Sequence, residues 1–149
     1  MKIEAATLED LPALAPLLAR LAPQHDDAEA TLARRSAGLR LLLESPQLGT
    51  VLVGRAGADV LAMVTLVYTV STTQGGRAAF LEEMIVHPGV RDRGLGTLLL
   101  EAAVAHCEAA GCARITLLTP QENVGALRFY GRQGFTRSPA IPLGLSLAG

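Results

Sequence analysis

Lysine is nearly missing from this chain: Lys2 is the only one, and every other cationic side chain except histidine is an arginine. A P-loop nucleotide hydrolase closes its glycine turn with Gly-Lys-Ser/Thr so that a lysine reaches the terminal phosphates, and no lysine stands in such a position. A basic surplus is missing too. The formal net charge is −1 at pH 7, which provides nothing to displace the counterions of a nucleic acid and argues against nucleic acid as a partner. No stretch approaches the ~20 apolar residues of a membrane span, and no basic, apolar, small-residue leader is present. The expectation is a cytoplasmic protein with no membrane partner. Cysteine is limited to Cys107 and Cys112, with no second pair to complete a zinc site, so no metal is expected. Both cysteines read as buried small apolar residues that stay reduced.

Apolar residues are plentiful, 50% of 149 positions, enough for one compact domain over residues 1–149. Residues 2–5 read as a strand. Thr7 and Asp10 form a capping box for a helix with Leu11, Leu14, Leu17, Leu18 and Leu21 on its apolar face. Pro12 is tolerated in that first turn, whereas Pro16 is expected to kink or end the helix. A second helix is predicted over residues 30–44, closed by Ser45-Pro46. Residues 50–55 and 60–70 read as a hairpin, residues 71–77 as a polar loop and residues 80–87 as the next strand. An apolar stripe of Leu95, Leu98, Leu99, Ala102, Ala103 and His106 marks a third helix ending at Gly111. Residues 114–119 form a strand, and Asn123 caps a last helix that Gly134 stops.

Residues 91–97 read Arg-Asp-Arg-Gly-Leu-Gly-Thr, between the apolar strand and the third helix. A helix start exposes N–H groups without intrahelical partners and carries partial positive charge, which suits a phosphate. A side chain at Gly94 or Gly96 would stop a pyrophosphate from approaching the backbone. Arg91 and Arg93 add charge to the same rim. A dinucleotide turn would need a third glycine, and Leu99 stands there instead. Further on, Asn123, Ala126, Phe129, Tyr130, Gly134 and Phe135 form Asn-x-x-Ala-x-x-Phe-Tyr-x-x-x-Gly-Phe.

With its Arg-x-x-Gly-x-Gly turn and this second motif, one helix and one strand apart, the chain resembles the GNAT (GCN5-related N-acetyltransferase) superfamily up to about Phe135. The resemblance implies a single-domain α/β fold with a mixed, mostly antiparallel sheet splayed at the cofactor cleft and flanked by about four helices. It implies acetyl-CoA as co-substrate, with the phosphates held by Arg91, Asp92, Arg93, Gly94, Leu95, Gly96 and Thr97. Met84, Ile85 and Val86 become the contacts for pantetheine and acetyl, and Asn123 a pantetheine contact or helix cap. Tyr130 resembles the family tyrosine that faces the sulfur. A tyrosine hydroxyl stays protonated at neutral pH and can donate to a departing thiolate. The tail after Phe135 is short and holds Pro139 and Pro142, so the usual last strands are abbreviated, edge-placed or completed by another subunit, which leaves a homodimer open.

The attacking amine must lose a proton, because an alkyl ammonium has a pKa of about 10. Glu82 and Glu83 are the candidate bases. Adjacent strand residues face opposite sides, so only one of them is expected to address a given cleft; the Leu-Glu-acidic run of some family members favours Glu82. Solvated strand charges are the competing explanation, as packing beside Phe129 is for Tyr130. His87 reads as a surface-loop residue and His106 as a core-edge residue. His25, Asp26, Asp27 and Glu29 either attract a cationic amine or favour a helix start. No cysteine invites an acyl-enzyme, so direct transfer in a ternary complex is expected. Leu117, Leu118 and Thr119 lack the glutamate of enzymes acting on ribosomal protein N-termini. A small-molecule amine is therefore the expected acceptor. A protein lysine or N-terminus, or a non-catalytic acyl-CoA sensor, is the alternative.

Overall fold

The computed structural model describes residues 1–19, 28–91 and 94–147. The chain divides into two compact units, Met1–Leu118 and Thr119–Gly149. The first holds β1 (Lys2–Ala5), a 3-10 turn (Leu8–Asp10), α1 (Leu11–Ala19), α2 (Ala28–Glu44), β2 (Gly49–Ala56), β3 (Asp59–Ser71), β4 (Gly76–Val86), α3 (Leu95–Ala109) and β5 (Ile115–Leu117). The second holds α4 (Val124–Arg132).

The strands form one five-stranded sheet in chain order. β1 to β4 are antiparallel neighbours, β1 and β2 separated in the chain by α1 and α2 and the later two pairs joined by short turns, while β5 lies parallel to β4 because α3 carries the chain back across the sheet. Alternation sorts the side chains. Val51, Val53, Met63 and Ile85 meet Leu14, Leu17 and Leu18 of α1 and Leu39 of α2 in one core. The other face is turned toward α3, as the approach of Gly54 to Leu95 and of Tyr68 to His106 records.

Local chemistry fixes the entry to this fold. Thr7 N–H donates to Asp10 Oδ2 at 2.8 Å, the capping contact expected from sequence. Arg55 then ties three elements together: Nε donates to Glu4 Oε1 at 2.6 Å, and the two terminal nitrogens fork onto Asp10 at 2.8 and 2.9 Å. This guanidinium holds the Asp10 carboxyl below its ordinary range. At the outer end of β1, Lys2 Nζ pairs with Glu4 Oε2 at 3.2 Å in full contact with solvent.

Several boundaries differ from the sequence expectation. Pro16 does not end α1, which runs to Ala19 because Leu14, Leu17 and Leu18 bury around it; Leu21 lies outside the described residues. The loop predicted over 71–77 is a tight turn whose Gly75 has φ 77°, and Gly76 and Arg77 already belong to β4. On α3 the apolar stripe is rotated: Leu98 is exposed, while Leu100 and Cys107 are buried with Leu95, Leu99 and Ala103. Cys112 is only half-buried, and both cysteines are free thiols. Residues 136–147 form no helix or strand, and Ile141, Leu143, Leu145 and Leu147 are exposed.

Candidate active site

The strand expected to carry chemistry is irregular at the residues that matter. Thr65 pairs with Glu83 and Leu66 with Leu81, so β4 spends two residues where β3 spends one, and Glu82 is the extra residue of a β-bulge. A bulge breaks the alternation of side chains. Glu82 and Glu83, expected to face opposite sides, line the same cavity. Beyond the bulge β4 also loses a neighbour, since its pairing with β5 covers only Ala79, Phe80 and Leu81. Among the described residues, Glu83 to Val86 have a strand partner on the β3 side alone, which leaves the other backbone edge open to an extended ligand. Ile85 points its side chain into the core and is 4% exposed, so only its backbone can serve a ligand.

The cavity has a volume of about 710 Å³, within the range of small-molecule sites. One wall is the inner face of α2, where Thr31, Arg34, Arg35, Gly38, Leu39 and Leu42 recur at helical spacing. The facing wall is Thr65, Val67, Glu82 and Glu83. Arg35 Nη1 donates to both carboxylate oxygens of Glu83 at 3.3 Å. Burial nevertheless holds the Glu83 carboxyl above the ordinary glutamate range, outweighing the lowering by Arg35; the nearby Glu82 pushes it the same way as burial. Glu82 is exposed. Two polar atoms in the walls, Arg35 Nε and Thr65 Oγ1, are buried without a hydrogen-bond partner.

At the far end of β4, His87 Nδ1 accepts from Gly89 N–H at 3.0 Å, and Arg91 Nε donates to Val86 O at 3.4 Å. The surface-turn reading of His87 holds. Gly94 is the N-cap of α3 with φ 74° and ψ 7°, a left-handed conformation that disfavours other residues. The first bond at this end runs from Leu98 N–H to Gly94 O at 3.2 Å. The N–H groups of Leu95, Gly96 and Thr97 precede it, and Gly94 has no side chain to cap them. Leu95 itself is buried against Gly54, so its backbone is what it can offer. This donor set fits a phosphate. Asp92 and Arg93 lie outside the described residues, as do His25, Asp26 and Asp27.

In the second unit, Asn123 Oδ1 accepts from Ala126 N–H at 3.1 Å and caps α4. Tyr130 is half-buried, set edge-on to Phe129 at 5.1 Å and to Phe135 at 5.6 Å. Burial raises its hydroxyl above the ordinary tyrosine range, so it stays a proton donor. Gly134 has φ 100° and ends the helix. In the first unit His106 is more than a core-edge residue: its Nε2 lies 2.7 Å from Tyr68 Oη, with Arg77 stacked over the tyrosine ring at 4.6 Å.

Sequence reasoning missed the α2 wall. A signal was available, because Thr31, Arg34, Arg35 and Gly38 share the inner face with Leu39 and Leu42. Arginines and a glycine on a face that packs inward mark a helix lining a cavity rather than closing a core.

Comparison with known proteins identifies the family and the fold. The sequence model of the Acetyltransferase (GNAT) family matches residues 12–135, and the chain belongs to that family of N-acetyltransferases. An uncharacterized N-acetyltransferase of Bacillus subtilis, YhfO, is 27% identical over 135 residues, covering 91% of this chain and 89% of its own. An uncharacterized N-acetyltransferase of Methanocaldococcus jannaschii, MJ1207, is 32% identical over 72 residues, 48% of this chain and 32% of its own. The match thus spans about a third of that relative's length. Among solved structures, a possible acetyltransferase from Clostridium difficile superposes with a TM-score of 0.85 at 19% identity, covering 99% of this chain and 98% of its own. An aminoglycoside N-acetyltransferase in complex with CoA superposes at 0.80 with 19% identity, covering 99% and 95%. These two likenesses establish the fold: mixed α/β, a mostly antiparallel sheet and four helices.

Proposed function

We propose that residues 1–149 act as a single catalytic domain that transfers an acetyl group from acetyl-CoA to the primary amine of a small molecule, directly, in a ternary complex. The observation that carries this reading is the course of β4. One strand passes from a bulge with two carboxylates in a cavity to an open backbone edge, and leads to an uncapped helix start. Each part answers one demand of thioester aminolysis.

Bound acetyl-CoA supplies the acetyl group as a thioester. The Leu95, Gly96 and Thr97 N–H groups, with Arg91 and the Asp92–Arg93 pair, hold its phosphates through backbone donors and charge. The backbone of Met84, Ile85 and Val86 pairs with its extended arm, and Asn123 assists while capping α4. Glu82 and Glu83 receive the proton of the incoming ammonium. Glu83 is suited to this because its raised pKa brings it nearer neutrality, where a general base is most effective. The Tyr130 hydroxyl donates to the leaving sulfur.

A covalent relay through cysteine finds no support. Burial pushes the Cys107 thiol up to about 12, which leaves almost no thiolate at neutral pH. A small acceptor is supported by a cavity of about 710 Å³. No helix among the described residues is long and apolar enough to cross a membrane.

Calorimetric titration with acetyl-CoA, with ATP and NAD as controls, tests the cofactor. Selective binding near one equivalent is expected; no binding by folded protein would sink the proposal. Tyr130→Phe is expected to keep acetyl-CoA affinity and lower turnover by about 10²-fold, the low end of the range for a lost general acid. Unchanged turnover would remove Tyr130 from the scheme. Binding without turnover of any amine would point to an acyl-CoA sensor.

A further inference from the structure

Two carboxylates line the cavity, and the fold treats them differently. Glu82, the extra residue of the bulge, is exposed. Glu83 is held by Arg35, 48 positions away in sequence, whose Nη1 donates to both carboxylate oxygens at 3.3 Å. Among the described residues no other side chain hydrogen-bonds to Glu83. Thr65 stands opposite it on β3, yet the Thr65 hydroxyl is buried without a partner and lends the carboxylate nothing.

The root of Arg35 is fixed. Its neighbours one turn away on α2, Thr31 and Leu39, are 5% and 3% exposed, and Leu39 belongs to the core with Leu14, Leu17 and Met63. Residues four apart share a helix face, so the same packing that seats α2 aims Arg35 at β4. Its side chain is 21% exposed and that of Glu83 31%, which sets the pair in the cavity wall rather than on the open surface, where ion pairs are worth little. The contact is not shaped for stability. A strong arginine–carboxylate pair engages two nitrogens in parallel, whereas here one nitrogen serves both oxygens and Arg35 Nε is buried without a partner. Such a tether orients the carboxylate and leaves its remaining lone pairs free to take a proton.

We infer that Arg35 is a positioning residue for acetyl transfer: it holds the Glu83 carboxylate where the acceptor ammonium delivers its proton, and so makes Glu83, not Glu82, the base. This inference rests on the acetyltransferase reading above and deepens it. A glutamate side chain has several free torsions, and a base acts only within hydrogen-bond reach of the proton it removes. In the step itself an ammonium N–H bond breaks, the electron pair stays on nitrogen to attack the thioester carbon, and the proton forms an O–H bond on Glu83. Arg35 keeps its own protons throughout, because a guanidinium is not deprotonated in proteins. The charged side chains lining this cavity, among the described residues, are Arg34 and Arg35 from α2 and Glu82 and Glu83 from β4; β3 adds Tyr68 as a titratable group and α1 adds none. Burial raises the Glu83 pKa most, Arg35 lowers it and Glu82 raises it.

Two readouts test this. In the free protein, a carbon-detected NMR titration of the glutamate carboxyls, with Glu83 assigned by its absence from Glu83→Gln, should show the Glu83 midpoint rise by about one unit in Arg35→Gln, the lower end of what a nearby opposite charge does. Arg35→Lys should bring it back toward the original, since a single nitrogen makes the contact. In turnover, CoA release from acetyl-CoA is followed with benzylamine, spermidine and glucosamine as probes. Arg35→Gln should lower kcat by about 10-fold, less than the ~10²-fold of a fully misplaced group, with acetyl-CoA binding by calorimetry unchanged. The acidic limb of its kcat/KM profile should move up with the NMR midpoint, and in a Glu83→Gln background the same change should cost nothing further. An unmoved midpoint, or losses at Arg35 and Glu83 that multiply, would make Arg35 a structural ion pair and overturn the inference, as would a larger loss from Glu82→Gln than from Glu83→Gln. Full turnover by Glu83→Gln would overturn it while sparing the acetyltransferase reading. Failure to bind acetyl-CoA, or binding without turnover of any probe, would remove both.

Discussion

On one face of the sheet α3 buries Leu95, Leu99, Leu100, Ala103 and Cys107; on the other, α2 sets Thr31, Arg34, Arg35 and Gly38 over Thr65 and Glu83 and leaves a cavity. Both helices approach strands that alternate small and branched apolar residues, so the sheet alone does not decide the outcome. The helix does. Leucine and alanine at i, i+4 and i+8 close the first face, whereas arginine and glycine at equivalent spacings hold the second open. The α3 face is closed throughout, whereas the α1–α2 face closes over Val51, Val53, Met63 and Ile85 and opens only beside Thr65 and Glu83.

The largest effect should come from the open face. Glu82→Gln with Glu83→Gln is expected to lower kcat by about 10²- to 10⁴-fold, the range of a lost general base, with acetyl-CoA binding by calorimetry unchanged. Were turnover to persist, the carboxylates would be solvated strand charges after all. The matching change on the closed face is Leu99→Ala. Leu99 is fully buried, and the cavity should cost about 2–5 kcal/mol in chemical denaturation while the folded fraction keeps its kcat. A loss of kcat comparable to that of the carboxylate pair would mean that the two faces are not separate.

Smaller effects sharpen the same contrast through pH. Arg55 lowers the Asp10 pKa, so this contact stabilises the fold above the ordinary Asp value of 3.8 and is lost as pH falls through the lowered one. Asp10→Asn should remove about 1–2 kcal/mol at pH 7 and much less near pH 2, as urea titrations at the two pH values would read. Glu83 has the opposite sign. Its pKa is raised by burial, so its contribution is complete below the ordinary 4.5 and lost as pH rises through the raised value. Glu83→Gln should flatten that decline. Smallest of all, Gly38→Ala should stabilise α2 by about 0.5–1 kcal/mol in thermal melts, because glycine is a poor helix former and the added methyl meets open space. Gly38→Phe should instead obstruct the amine and leave acetyl-CoA affinity intact.

Much of this arrangement could be read from residue patterns alone. The antiparallel strands announced themselves by apolar alternation and glycine turns, and the α3 start by two glycines ahead of a helical stripe. Asn123 and Thr7–Asp10 were legible because a cap is a local bond between near neighbours. What escaped depended on partners distant in sequence. Whether Glu82 and Glu83 share a side is set by how Thr65 and Leu66 register against β4, and nothing in the Leu-Glu-Glu-Met run encodes that bulge. Pro16 looked like a terminus, yet the core contacts of Leu14, Leu17 and Leu18 carry the helix past it. The contact of His106 with Tyr68 joins residues 38 apart.

The solitary lysine has a chemical consequence beyond the exclusion of a P-loop. Acetyl thioesters acylate lysine amines without any catalyst, and a protein that holds one for a living is exposed to its own reagent. In the acetyl-CoA-binding role proposed above, that exposure would end at Lys2, on the outer strand and paired to Glu4, while Arg34 and Arg35 in the cavity and Arg91 ahead of α3 carry guanidinium groups too basic to be acylated at neutral pH. Prolonged incubation with acetyl-CoA can therefore place only one acetyl group on a lysine, and that one at the sheet's edge.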